Sequence, residues 1–188
     1  SSDLGSWAVV GAITGGAMAI EGARDEDMEV VAAVLKRMNI VCDMRDGVFE
    51  VQPSTPKAAR RITTGLWPSF PSDLVSLVTV LATQAEGRTL VHDWMYELRL
   101  FALEQMSGMG ADMFLADAHR IIITGPTKLR GGRTLDSRDL RSGMSLIAAG
   151  LAADGQTRVA PLETVERGYS QLVERLRGLG ARIARVDD

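Results

Sequence analysis

The feature that most constrains the fold of this chain is an internal repeat. Three segments align on one pattern: DLGSWAVVGAITGGAMAI from Asp3, DLVSLVTVLATQAEGRTLV from Asp73 and DLRSGMSLIAAGLAADGQTRV from Asp139. Each opens with Asp-Leu, runs on as an apolar stretch, breaks at a glycine (Gly16, Gly87, Gly155) and resumes as a short β-prone run. Farther on, an acidic residue (Glu26, Glu97, Glu166) opens a second helix that ends at MNI, MGA or LGA, centred on Asn39, Gly110 and Gly180. Glycine and asparagine close helices because they tolerate the left-handed conformation. A repeat of this kind is one supersecondary unit that buries its apolar face against its own copies.

The first helix of each unit is apolar nearly all round, as VSLVTVLA and MSLIAAGLAA show, and such a helix is buried on every side. The second is amphipathic: in the third copy Tyr169, Leu172, Val173, Leu176 and Leu179 recur at helical spacing while Glu166, Arg175 and Arg177 stay in water. Strand-like runs close the units at 48–52 (VFEVQ), 120–125 (RIIITG) and 181–186 (ARIARV). The expected fold is α/β: one domain over 1–188, with repeats near 3–69, 70–135 and 136–188, a shared core of buried helices and sheets outside. Approximate threefold symmetry would run those helices parallel, gathering their N-termini, with Asp3, Asp73 and Asp139, at one end. That end carries unpaired N–H groups and partial positive charge, so it attracts anions.

Composition narrows the function classes. A net charge of −3, with 46% hydrophobic and 24% charged residues, describes a soluble globular protein rather than a general binder of nucleic acid or of anionic membrane. One cysteine, Cys42, excludes an internal disulfide framework and fits a reducing cytoplasm. Every apolar run is cut by a charge or glycine short of the roughly 20 residues of a membrane span. The abrupt start, SSDLGSWAVV, enters an apolar helix almost at once and suggests a cut at a domain boundary.

FPSDL at 70–74, MYELRLF at 95–101, SRDLRSGMSLIAAG at 137–150 and VERGY at 165–169 resemble the C-terminal half of an enolpyruvyl transferase, and the resemblance spans essentially the whole chain. It implies an inside-out α/β barrel of three βαβαββ units around buried parallel helices. It further implies transfer of the enolpyruvyl group of phosphoenolpyruvate to the 3′-hydroxyl of UDP-N-acetylglucosamine, with release of phosphate, in peptidoglycan precursor synthesis. By the same resemblance Asp73 is the base that hydrogen-bonds the sugar hydroxyl, and Met95 makes a backbone contact to the sugar nucleotide. Arg99 and Arg167 face phosphoenolpyruvate, and Asp139 and Arg141 lie beside the reacting centre. Leu98 stands where many members carry Asn, and Glu166 where Asp is more usual. The active site of the family lies between two such halves, so the expected partner is the N-terminal half, and this chain alone is expected to be silent. The equivalent half of a shikimate-pathway enolpyruvyl transferase and a non-catalytic scaffold are the alternatives.

The chemistry suits these residue types. A sugar hydroxyl is a poor nucleophile until a carboxylate at hydrogen-bond distance accepts its proton. Planar guanidinium groups clamp phosphate and carboxylate by charge-assisted bidentate bonds and stabilise an anionic tetrahedral intermediate. No metal or organic cofactor is called for. Plainer readings stand beside these: Ser72 or Asp73 as a helix cap, KLRGGRTLDSRDLR as a solvated basic loop, Arg167 as a surface residue, and Trp67 and Phe70 as loop anchors. His92 and His119 lack partners at zinc-ligand spacing. Cys42, in NIVCDM, reads as a small buried hydrophobe and not as the cysteine that the family carries on a mobile loop of its other half.

Overall fold

The computed structural model describes residues 2–97 and 99–186. Its elements run α1 (Ser2–Thr14), β1 (Met18–Glu21), α2 (Asp25–Arg37), β2 (Cys42–Arg45), β3 (Val48–Val51) and β4 (Arg61–Thr63). A 3₁₀ turn (Ser72–Leu74) then leads into α3 (Val75–Gln84) and β5 (Gly87–His92), followed by a 3₁₀ segment (Arg99–Met109). The chain continues through β6 (Asp112–Asp117), β7 (Arg120–Gly125), β8 (Arg133–Asp136), α4 (Leu140–Ala152), β9 (Thr157–Ala160), α5 (Leu162–Glu166) and α6 (Leu172–Gly178).

The three apolar helices α1, α3 and α4 pack against one another and form the centre of the core. In α3 every residue from Val75 to Thr83 is buried. Its two threonine hydroxyls are satisfied within the helix: Thr79 Oγ1 donates to the Val75 carbonyl at 2.8 Å and Thr83 Oγ1 to that of Val80 at 2.7 Å, whereas the buried Ser76 Oγ has no hydrogen-bond partner among the described residues. The threonines can therefore sit in a dry core without outside partners. Sheets lie against these helices in the orders β1-β3-β2, β4-β5-β7-β6 and β8-β9. The antiparallel set β5-β7-β6 repeats the arrangement β1-β3-β2, and β4 and β8 each add a parallel strand to the next unit, on β5 and β9. The repeat read from the sequence is thus a repeat of topology.

Asn39, Gly110 and Gly180 all take positive φ, at 63°, 98° and 94°, where the helix ends were expected. The second helices differ from expectation. Only α2 is a regular α-helix of full length. In the second copy Glu97 opens nothing; hydrogen bonds hold the chain around 93–95 and a 3₁₀ segment starts at Arg99. In the third copy Glu166 closes α5 instead of opening a helix. The chain there turns Tyr169 into the core and puts Gln171 at φ 52° before α6 begins. Leu179, expected on the buried face, is 57% exposed. The strand expected at 181–186 does not form: the Ile183 carbonyl accepts from Arg177 Nε at 2.6 Å instead of from a neighbouring strand.

Candidate active site

The N-terminal ends of the three buried helices meet as the repeat requires, and Arg141, in the first turn of α4, ties them together. Its Nη1 lies 3.3 Å from Asp3 Oδ1 at the start of α1, and its Nη2 lies 3.1 Å from Asp73 Oδ2 just before α3. Arg99 approaches the other oxygen of Asp73, Nη1 to Oδ1, at 3.6 Å. One carboxylate therefore sits between two guanidinium groups. Burial works against the charge of Arg141, but Tyr169, Asp73 and Asp3 outweigh it and hold the group above its usual range. Ion pairs at partly open positions contribute only about 0–1 kcal/mol to stability. With 38% of its side chain exposed, Asp73 remains open to a ligand.

Local backbone decides what each repeated aspartate does. Asp139 is the N-cap of α4: Oδ1 accepts from the backbone N–H of Arg141 at 2.9 Å and of Ser142 at 3.0 Å, and Oδ2 accepts from Ser142 Oγ at 2.5 Å. Ahead of α3 a 3₁₀ turn is inserted, with Pro71 preceding it and no side chain capping either helix start. Asp73 is thereby released from capping and points at Arg99 and Arg141. The plainer reading of Asp73 or Ser72 as a helix cap does not hold here.

The guanidinium of Arg99 stacks on Tyr96, 4.2 Å from the ring centroid, and its Nη1 donates to Ser72 Oγ at 2.7 Å. Met95, on the same segment, donates its N–H to Asp93 Oδ1 at 3.2 Å, so a backbone contact from Met95 to a ligand would come from its carbonyl. Arg167 stands apart from this group: it is exposed at the end of α5, with no side-chain hydrogen bond or ion pair among the described residues. Leu98 lies outside the described residues. Phe70 is core, whereas Trp67 is 64% exposed. Cys42 is buried on β2, and burial pushes its thiol up. Among the described residues no cluster of His, Cys, Asp or Glu could hold a metal ion, and no helix is long and apolar enough to cross a membrane.

Sequence reasoning missed three members of the site. Ser72 reads there as a cap within FPSDL, Tyr169 as part of a helix face and of VERGY, neither with a role of its own, and Asp93 has no reading. Tyr169 is 1% exposed, its hydroxyl lies 2.8 Å from Ser6 Oγ and accepts from Arg141 Nη1 at 3.1 Å, and its ring meets Trp7 edge-on. The available signal for Asp93 was an acidic residue placed directly after the apolar run TLV-His of β5.

Residues 1–176 match the family model described as EPSP synthase (3-phosphoshikimate 1-carboxyvinyltransferase). The chain belongs to this family of enolpyruvyl transferases. Among curated relatives, the UDP-N-acetylglucosamine 1-carboxyvinyltransferase of Borreliella burgdorferi is 36% identical over 97% of this chain and 44% of its own length. The protein of the same name from Bradyrhizobium diazoefficiens is 34% identical over 99% of this chain and 45% of its own length. The chain spans about half the length of the curated relatives it matches. The enolpyruvyl transferase NikO from Streptomyces tendae superposes with a TM-score of 0.86 at 25% identity, over 97% of this chain and 43% of that one. An EPSP synthase from Acinetobacter baumannii shares the fold, with a TM-score of 0.72 at 22% identity over 98% and 46% of the two chains.

Proposed function

We propose that this chain is one half of a UDP-N-acetylglucosamine 1-carboxyvinyltransferase, a single domain built as an inside-out α/β barrel, that contributes the base and part of the anion clamp to a cleft shared with an N-terminal half. The observation that carries the reading is Asp73 set between Arg99 and Arg141 where the buried helices begin. Phosphoenolpyruvate, with its phosphate and carboxylate, competes for both guanidinium groups. That exchange frees Asp73 to accept the proton of the sugar 3′-hydroxyl as its oxygen adds to C2 of phosphoenolpyruvate and the π electrons take up a proton at C3 from a general acid of the N-terminal half. Arg141, Arg99 and Arg167 stabilise the anionic tetrahedral intermediate, from which phosphate departs as C3 gives up a proton and the C2–C3 double bond re-forms. Asp139 serves the reaction by fixing the first turn of α4 and with it Arg141, and the Met95 backbone binds the sugar nucleotide. No resident cofactor is needed, the protein works in the cytoplasm, and neither nucleic acid nor membrane is a partner.

The family model, described by its shikimate-pathway activity, supports a second reading in which the acceptor is 3-phosphoshikimate. The names of the relatives favour the sugar nucleotide. Phosphate release, followed with the chain and the N-terminal half combined, decides the matter. Release that depends on UDP-N-acetylglucosamine is the expected result, dependence on 3-phosphoshikimate replaces the acceptor, and no release with either leaves a binding or scaffold role. The chain alone is expected to release none.

A further inference from the structure

The chemistry above leaves one buried acid unused. Asp93 follows β5 and is fully buried. Its Oδ1 accepts from Thr64 Oγ1 at 2.8 Å and from the Met95 N–H at 3.2 Å, and its Oδ2 accepts from Ser72 Oγ at 2.6 Å. Its backbone is also pinned: the Asp93 N–H donates to the His119 carbonyl at 2.8 Å, and His119 Nδ1 lies 2.7 Å from the Asp93 carbonyl.

A carboxylate accepts hydrogen bonds and has none to donate. The single proton of the Ser72 hydroxyl is therefore directed to Asp93, which leaves the lone pairs of Ser72 Oγ for Arg99 Nη1 at 2.7 Å. Asp93 thus sets the direction of a two-bond relay ending on the guanidinium that faces Asp73. The other support of Arg99, the ring of Tyr96, directly follows Met95, whose N–H Asp93 also holds. Both supports of one arginine are anchored on one buried group.

We infer that Asp93 is a positioning residue of this site: through Ser72 and through the Met95 N–H it holds Arg99 in the orientation that receives the anionic substrate. The inference rests on the reading of Arg99 as an anion ligand. Asp93 itself touches no substrate.

Three variants separate positioning from packing: Asp93→Asn, Ser72→Ala and Thr64→Val, each in the chain combined with the N-terminal half. Positioning groups behind a ligand typically account for roughly 10- to 100-fold of function, and losses of that size are expected for D93N and S72A. T64V removes an equally short bond to the same carboxylate but lies off the path to Arg99, so its loss is far smaller. Because D93N and S72A interrupt one relay, the double variant is expected to be little worse than either single one. Folded D93N or S72A protein with wild-type turnover overturns the inference. So does a T64V loss equal to that of S72A, the pattern a purely structural role predicts. Should D93N fail to fold, the comparison of S72A with T64V decides. If the unaltered pair turns nothing over, the proposed function has failed, and the Arg99 side-chain N–H resonances of the chain alone read the positioning claim. Signals that are ordered in the unaltered chain and in T64V, but averaged in S72A, support it; signals unchanged in S72A overturn it.

Discussion

Asp73 and Asp139 occupy the same place in two copies of one repeat and do different work. Asp139 uses both carboxylate oxygens to close the start of α4. Asp73 is displaced from the same duty by the 3₁₀ turn Ser72–Leu74, and its oxygens meet Arg99 and Arg141 instead. The repeat brings an acid to the end of a buried helix. Local backbone then decides whether that acid completes the helix or remains available to a ligand. Asp3, in the remaining copy, pairs with the Nη1 of Arg141, so a single arginine reads two of the three repeated acids.

Substitutions can break this comparison. Asp73→Asn has the largest expected effect: general-base catalysis contributes on the order of 10²–10⁴-fold, and turnover of the combined halves should fall by that much. Its melting temperature should stay close to that of the unaltered chain, because half-open ion pairs add about 0–1 kcal/mol. Equal loss of stability and turnover would place Asp73 with Asp139. Gly143→Ala comes next. An added Cβ would stand 2.4 Å from Ser137 Oγ and 2.5 Å from Val165 Cγ2, so the first turns of α4 admit no side chain there. Overpacking of this kind costs about 1–3 kcal/mol, measurable by denaturant unfolding.

Asp139→Ala should lower stability by about 1 kcal/mol, and Asp139→Asn by much less, because asparagine caps equally well. Turnover should follow the cap, with D139N close to the unaltered protein. A large loss in a stable D139N would show that the charge itself acts on the substrate. The smallest effect concerns Asp117, at the end of β6, whose carboxyl is drawn down to about 2 by its hydrogen bond to Arg120, with the His119 N–H assisting. A depressed carboxyl pKa stabilises the fold above its unfolded value of 3.8 and loses that contribution as pH falls through about 2. Asp117→Asn should therefore flatten the acid limb of the stability curve between those values and leave neutral-pH turnover unchanged.

The repeat, the three buried helices and the helix-closing residues Asn39, Gly110 and Gly180 were legible in the sequence, because burial on all sides and left-handed backbone each demand particular residue types. That the helix starts carrying Asp3, Asp73 and Asp139 gather at one end of the core followed from that symmetry, while Arg141 came from the family resemblance alone. The departures from symmetry did not. No periodicity announces that Tyr169 leaves its helix to bond Arg141, and a strand-like run such as 181–186 forms a strand only where a partner edge is offered. Asp93 was hidden for a related reason: burial of an acid depends on donors from Thr64, Ser72 and Met95, which are far apart or unremarkable in sequence. Arg167, singled out by its motif, makes no side-chain hydrogen bond or ion pair among the described residues, and its proposed role belongs to the cleft with the other half.

The most direct test is phosphate release from phosphoenolpyruvate and UDP-N-acetylglucosamine by this chain combined with the N-terminal half, with Asp73→Asn measured beside Asp139→Asn. The account predicts release only when both halves are present, nearly abolished in D73N and nearly retained in D139N. Release by this chain alone, or a D73N variant as active as D139N, would contradict it.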